Sequence, residues 1–274
     1  QSTGPIGVGW MSIGSKGFTV VEVESLEPNM GKPIDDGDGD SDTKEYVISI
    51  AASGAVVVEA TPNPVVGEAA LPSGWSLSGD GTSKFTRSVD RTRVGTTEFT
   101  CTCGTSSKRV RVHVVEVDEL PLATGGPVNS NCLPVEVDDG DGDANTRAFF
   151  VRYDFDHTNR LLYVDAGPNP SGFLPSDLSD PSTVASYLPD DWSFTVNGSN
   201  AAHPLLHEFS QTPNKYVCVA SCGASVKTTT VYVYAAWFSL FSDEGSRGPS
   251  EPYPHSWWNQ CPASFGIGFT ALSV

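Results

Sequence analysis

The chain has 274 residues, with 16 Lys plus Arg against 33 Asp plus Glu and a formal net charge of -17. That field repels polyphosphate, so nucleic acid is excluded as a partner and cations are the favoured counter-charge. No run reaches the roughly 20 apolar residues of a membrane span, which excludes insertion by a helix, and 27 glycines with 20 prolines suit short strands better than long helices.

Residues 1–17 are Gly-rich and apolar and open on Gln1, as expected of a processed or fragmentary chain. They read as an arm that frays unless a domain or a neighbouring molecule holds it. The first strand is expected at Phe18–Glu24. IDDGDGDSDTK (Ile34–Lys44) follows, an acidic loop in which aspartates alternate with glycines. Further strands are expected at Glu45–Ile50, Val56–Ala60, Phe85–Val89 and Glu98–Cys103, β-branched and aromatic runs bounded by turn residues. KRVRVHVVEV (Lys108–Val117) alternates with period two. Val110, Val112 and Val114 lie on one face and Arg109, Arg111 and His113 on the other, as in a half-buried antiparallel strand.

The same landmarks then recur in the same order, which is the signature of a duplicated domain. VDDGDGDANTR (Val137–Arg147) repeats the acidic loop 103 residues on, and EATPNP (Glu59–Pro64) returns as DAGPNP (Asp165–Pro170). LPSGWS (Leu71–Ser76) returns as LPDDWS (Leu188–Ser193), and FTCTCGTSSKRVRVHVV (Phe99–Val115) as YVCVASCGASVKTTTVYVY (Tyr216–Tyr234). The growing offset places an insertion at 171–187 in the second copy, expected as a short helix or a protruding loop. About seven short strands in about 100 residues is the pattern of a sandwich. The expected fold class is all-β, with two tandem Ig-like β-sandwich domains at 18–118 and 132–240. A linker is expected at 119–131, an N-terminal arm at 1–17 and a C-terminal tail at 241–274. Trp75 and Trp192 are expected in the cores, because buried aromatics dominate such interiors.

Gly95-Thr-Thr-Glu-Phe-Thr-Cys-Thr-Cys-Gly, running into the alternating valine strand, resembles the last hairpin of bacterial Ig-like (Big-type) repeats. The likeness covers the back third of each copy and does not include the acidic loop. It implies an Ig-like fold and, by analogy, a stalk, adhesin or binding module on a cell surface.

The acidic loops are the candidate functional site. Calcium takes six to eight oxygens from carboxylates and carbonyls. Asp35, Asp36, Asp38, Asp40 and Asp42 supply them in the first copy, and Asp138, Asp139, Asp141, Asp143 and Asn145 in the second. Glycine between the acids lets the backbone curl so that alternate side chains converge. The spacing resembles the first half of an EF-hand loop, but Ser41 and Ala144 replace its central glycine and Val47 and Phe150 its last glutamate. Remaining ligands are expected from Glu45, Asp154 or Asp156. The six cysteines, Cys101, Cys103, Cys132, Cys218, Cys222 and Cys261, are disulfide candidates whose pairing the spacing leaves open.

No catalytic motif is present. His203 and His207 are four apart with Glu208 beside them, but Pro204 between them argues against a metal-binding helix face and for loop histidines. His255 and Cys261 could form a thiol–imidazole pair, although the aromatics around them read better as an anchor for the tail. Asn197-Gly-Ser is a glycosylation sequon, a short pattern that also arises by chance. The expected function is non-enzymatic: a calcium-stabilised subunit of an extracellular filament or surface layer. Its expected partner is itself, through strand or terminal-arm exchange. The alternative is an adhesin or ligand-binding module of a larger cell-surface protein, with 171–187 as its contact surface.

Overall fold

A computed structural model describes residues 20–35, 39–125, 135–137, 142–153, 161–209 and 215–235. The expected arm (1–17), the whole expected tail (241–274), Cys132, Cys261 and His255 lie outside these residues. In the first repeat the strands are β1 (Glu22–Pro28), β2 (Lys32–Ile34), β3 (Thr43–Ser49), β4 (Ala55–Asn63), β5 (Trp75–Leu77), β6 (Thr86–Asp90), β7 (Gly95–Cys103) and β8 (Ser106–Val117). They form two sheets, ordered β1-β4-β6 and β2-β3-β8-β7-β5. In the second repeat they are β9 (Leu122–Gly125), β10 (Val135–Val137), β11 (Thr146–Tyr153), β12 (Leu161–Asp165), β13 (Pro168–Asn169), β14 (Ser193–Val196), β15 (Ser199–Asn200), β16 (Leu206–Glu208), β17 (Lys215–Cys222) and β18 (Ser225–Ala235). The orders β9-β12-β16 and β10-β11-β18-β17-β14-β15 repeat the first pair of sheets, with β15 added beyond β14. In both, the strand after the acidic loop runs parallel to the last strand, β3 with β8 and β11 with β18.

The first core lies between its two sheets and contains Val23, Leu26, Val56, Val58, Trp75, Phe99, Cys101, Val110, Val112 and Val114. The period-two reading of Lys108–Val117 accounts for this face of β8. The opposite face changes character along the strand. Arg109 is exposed and Arg111 half-buried, but His113, Val115 and Val117 are buried, and Val115 and Val117 belong to the core of the second repeat. One strand therefore serves both sandwiches. Its last residues pair with the second repeat through Pro168↔Val117 and Asn169↔Glu116. This matches Val23↔Pro62 and Glu22↔Asn63 in the first repeat.

The sequence carries this equivalence too: VVEVESL (Val20–Leu26) returns as VVEVDEL (Val114–Leu120). Three hydrogen bonds are duplicated. Asn63 Nδ2 donates to Glu22 at 3.1 Å, and Asn169 Nδ2 to Glu116 at 3.2 Å. Val23 N donates to Ser106 Oγ and Val117 N to Ser225 Oγ. Cys103 Sγ donates to Val21 O and Cys222 Sγ to Val115 O. Part of the expected linker is accordingly structure: Leu120 is buried at 1% exposure like Leu26 at 2%, and Leu122–Gly125 is β9, paired with β12.

The insertion holds α1 (Pro181–Tyr187). Proline at its first position suits the missing N–H, and Asp180 caps it by accepting from Ser182 N and Thr183 N. The bonds from Thr183 and Ser182 hold the Asp180 carboxyl down at about 2. Val184 and Leu188 pack with Leu205 in a small cluster of their own. Rather than protruding freely, the insertion leans on the first repeat. Lys32 Nζ donates to Ala185 O and Leu188 O, both at 2.9 Å, and the Phe173 ring lies on His113 with centroids 5.1 Å apart.

Candidate functional site at the joint between the repeats

The β17–β18 turn of the second repeat plugs into the end of the first. Ala224 N donates to Ile50 O at 3.0 Å, and Ile50 N is tied to Val115 O at 2.8 Å. Gly223 has φ +57, and a Cβ there would stand 2.0 Å from Ile50 O. Only glycine meets both the left-handed backbone and the close approach. Thr229 Oγ1, fully buried, donates to Leu120 O at 2.9 Å, and Ser49 Oγ donates to Asp191 at 2.7 Å.

The two acidic loops share one frame. Gly39 and Gly142, counterparts in the repeat, have φ +69 and +70, the left-handed turn that the alternating glycines were expected to allow. Asp42 O accepts from Arg109 N and Asn145 O from Thr228 N. The lysine one residue earlier in each last strand reaches the same loop position, Lys108 to Asp42 and Lys227 to Asn145. Asp40 accepts from Asp42 N at 2.8 Å, and Asp143 from Asn145 N at 2.9 Å. Asp35, Asp40, Asp42, Asp143 and Asn145 are thus placed, while Asp36, Asp38, Asp138, Asp139, Asp141, Asp154 and Asp156 lie outside the described residues. Among the described residues no three His, Cys, Asp or Glu side chains converge as a ready metal cage. Glu45 is engaged elsewhere: buried, it pairs with Arg111 and lies 3.4 Å from His113 Nε2.

The second acidic loop sits at the joint. A cavity of about 490 Å³ is lined by Asp143 and Asn145 from that loop, by Ile50 and Glu116 from the first repeat, and by Ala224 and Lys227. Carboxylate and carbonyl oxygens at this edge are the donor types a hard cation takes. The loop ends in the lysine tether described above, where the Lys227 ammonium group occupies the Asn145 amide oxygen.

His113 was expected on the solvent face of β8 and is instead 5% exposed. Phe173 covers it, Thr96 Oγ1 lies 2.8 Å from its Nδ1, and Glu45 faces its other nitrogen. Burial lowers its pKa, against the opposing pull of the Glu45 carboxylate. A period-two pattern places a residue on a face but does not say that another domain covers it.

The disulfide expectation is corrected for four cysteines. Cys101, Cys103, Cys218 and Cys222 are buried free thiols. Members of each pair alternate inward on one strand, Cys101 and Cys103 on β7 and Cys218 and Cys222 on β17, so their Cβ vectors run side by side rather than toward each other. Burial pushes the Cys101, Cys218 and Cys222 thiols up to about 12, which keeps them protonated and unreactive.

Of the second repeat's histidines, His203 and His207 lie among the described residues and pack into the fold. His203 Nε2 bonds Leu178 O at 2.8 Å while its Nδ1 accepts from Leu205 N. His207 packs on Phe209 and Tyr216. Its register position matches Arg87 of the first repeat, a buried arginine that donates to Leu77 O, Ser78 O, Gly79 O and Ser83 O. Trp75 is buried and Trp192 half-buried, and their indole N–H groups bond Lys84 O and Pro204 O. Asn197 of the sequon is a turn residue at φ 50 whose Oδ1 accepts from Val217 N.

No family model matches the chain, and no curated protein matches it. Solved structures do. The titin tandem A164–A165 aligns over 79% of this chain and 98% of its own, at 8% identity and a TM-score of 0.27. The I9–I11 tandem of titin aligns over 79% of this chain and 66% of its own, at 10% identity and a TM-score of 0.23. Extracellular domains 3–5 of Drosophila OTK align over 78% of this chain and 63% of their own, at 11% identity and a TM-score of 0.25. The chain is a tandem of two Ig-like sandwiches. That assignment rests on the strand order of each sheet pair. Among the described residues no helix is long and apolar enough to cross a membrane.

Proposed function

We propose that the tandem is a non-enzymatic, calcium-stabilised subunit of an extracellular filament or surface layer, with other copies of itself as partner. The observation that carries this reading is the position of the second acidic loop. Its Asp143 and Asn145 line the same cavity as Ile50 and Glu116 of the first repeat, so a cation held there links two sandwiches that already share β8. Calcium in that position stiffens a rod rather than performing chemistry. The net charge of -17 favours cation uptake. The likeness of the β7–β8 hairpin to Big-type repeats supports a cell-surface location. Buried, protonated thiols are compatible with such a compartment because they are withheld from oxidants. Calorimetric titration with calcium, alongside negative-stain images with calcium and with chelator, tests the reading. Heat of binding, a higher melting temperature and extended assemblies that shorten in chelator are expected. No heat at millimolar calcium removes the cation, and monomers under both conditions remove the assembly.

A further inference from the structure

The insertion of the second repeat has no counterpart in the first, and it lands on a part of the first repeat that differs from its own duplicate. Phe173 and Val47 are buried in one apolar cluster, and Ile34, Leu174 and Tyr187 pack against it. Ile34, Val47 and His113 come from β2, β3 and β8, on the side of that sheet turned away from the first core. The register shows what stands there. Glu45 and Arg111 are partners across β3 and β8, and Val47 and His113 are the next pair on the same face. The equivalents of Glu45, Arg111 and His113 on β11 and β18 are Ala148, Thr230 and Tyr232. A carboxylate, a guanidinium and an imidazole therefore stand together where the insertion lands, and a set without formal charge stands in their place in the repeat that bears it.

His113 is the centre of this cluster. Thr96 Oγ1 from β7 lies 2.8 Å from its Nδ1, and Glu45 Oε2 from β3 lies 3.4 Å from its Nε2. Arg111 from its own strand pairs with Glu45 and with Glu98 of β7. The insertion contributes the uncharged Phe173 ring, tilted 34° with centroids 5.1 Å apart. Among the described residues, Glu45 favours the charged imidazole, while burial, the largest influence, and Arg111 oppose it. Lifting the insertion removes burial and leaves Glu45 in place. The open form then takes up a proton more readily than the closed form, and by linkage acid favours opening.

We propose that the insertion is a clasp on the first repeat that acid releases, with His113 as the residue that senses the proton. Release parts Phe173 from His113 and Lys32 from Ala185 O and Leu188 O. The sandwiches stay joined through β8 and the Gly223 turn, so the joint loses a brace and not its connection. The clasp does not depend on a cation at the acidic loops or on assembly.

The test is hydrogen exchange by mass spectrometry on the full chain in chelator, between about pH 8 and pH 5.5, a window above most of the carboxylate range. Rates are corrected for the intrinsic pH dependence of amide exchange. The amides of Leu174, Val184 and Leu188, which donate to Ser171 O, Asp180 O and Ala185 O, report the insertion, because so short a helix does not hold its bonds once detached. Peptides from β7 and β8 report the sandwich. Wild type is compared with His113→Asn, His113→Phe and His203→Asn, each checked for folding by circular dichroism at pH 8. His113→Phe keeps a ring beneath Phe173 and has no site for a proton. His203 is the control, being a second imidazole that bonds the insertion, at Leu178 O. In wild type and in His203→Asn, protection of the insertion should fall with acid, by up to about tenfold per pH unit for one proton, while protection of β7 and β8 holds. With His113→Asn or His113→Phe it should stay level. Level protection in wild type, an equal fall in both His113 variants, or level protection in His203→Asn overturns the clasp. A fall shared equally by β7 and β8 overturns it as well, because acid then destabilises the whole tandem and not the insertion.

Discussion

His113 and Lys108 stand five residues apart on β8 and face different surroundings, so they respond to solution conditions in different ways. His113 is enclosed by Thr96 from β7, Glu45 from β3, Arg111 from its own strand and Phe173 from the insertion. Burial, the largest cause, lowers its pKa below the ordinary 6.5, with Glu45 opposing. As pH falls, the unfolded chain takes up this proton first. The stability from a neutral His113 is therefore full above 6.5 and is lost as pH drops toward the lowered folded value. His207 is lowered by burial as well and acts with the same sign. The melting temperature should fall between about pH 7 and pH 5, above most of the carboxylate range. His113→Asn should flatten that fall without abolishing it, because His207 remains; an unchanged slope removes His113 as its source. Lys108 pairs with Asp42, so under the proposed calcium reading it competes with the cation for the acidic loop. Lys108→Met should tighten calcium binding by roughly threefold to tenfold while lowering the stability of the calcium-free protein slightly. Isothermal titration reads the first effect and thermal melting in chelator the second.

At the scale of the hairpin, one sequence element sits in two environments. Gly104 and Gly223 occupy the same turn, but only Gly223 abuts backbone, at Ile50 O. Gly104→Ala should cost only the left-handed penalty, about 1–2 kcal/mol. Gly223→Ala adds a Cβ that the Ile50 carbonyl cannot yield to without moving β3, and should cost on the order of 3 kcal/mol or more. Paired chemical denaturation curves measure the difference, and equal losses would mean that the joint is looser than this contact. Such contrasts explain how much could be read in advance. The valine alternation of Lys108–Val117, the β-branched runs and the duplicated landmarks were legible because each is local, set by side-chain period and turn chemistry. The strand expected at Phe18–Glu24 is displaced to Glu22–Pro28 because β1 is defined by its pairing with β4, which period alone does not report. The double duty of β8 was written in VVEVESL and VVEVDEL. It was obscured because the second copy of that phrase lies inside the last strand of the first repeat. The cysteines misled because an even count says nothing of direction, and alternation turns both members of each pair into a core. Of the candidate site, the glycine-dependent turn of both acidic loops was legible, but their tethers to Lys108 and Lys227 depend on a parallel pairing between distant strands.

For the whole molecule, the shared strand decides how the tandem responds to stress. Tandem domains joined by a flexible linker unfold separately, because little contact crosses the boundary. Here Val115 and Val117 are fully buried in the second core while Val110, Val112 and Val114 fill the first, and one continuous backbone, Ser106–Val117, carries both sets. Losing β8 from either sheet removes the edge on which the other is built. The Gly223 plug, the Lys32 bonds to the end of α1 and the Phe173–His113 contact add ties that break together with it. Unfolding should therefore be a single cooperative transition, with calorimetric and van't Hoff enthalpies in agreement for the full tandem. Val117→Ala removes two buried methyl groups from the second core and should lower stability by about 2 kcal/mol. Because the strand is shared, that loss should move the whole transition down in temperature and leave it single. Two resolved transitions in wild type, or a Val117→Ala variant in which only part of the enthalpy shifts, would show that the sandwiches melt independently. The ability of this joint to transmit load from one repeat to the next, and so to serve as the link of a stiff filament, depends on that outcome.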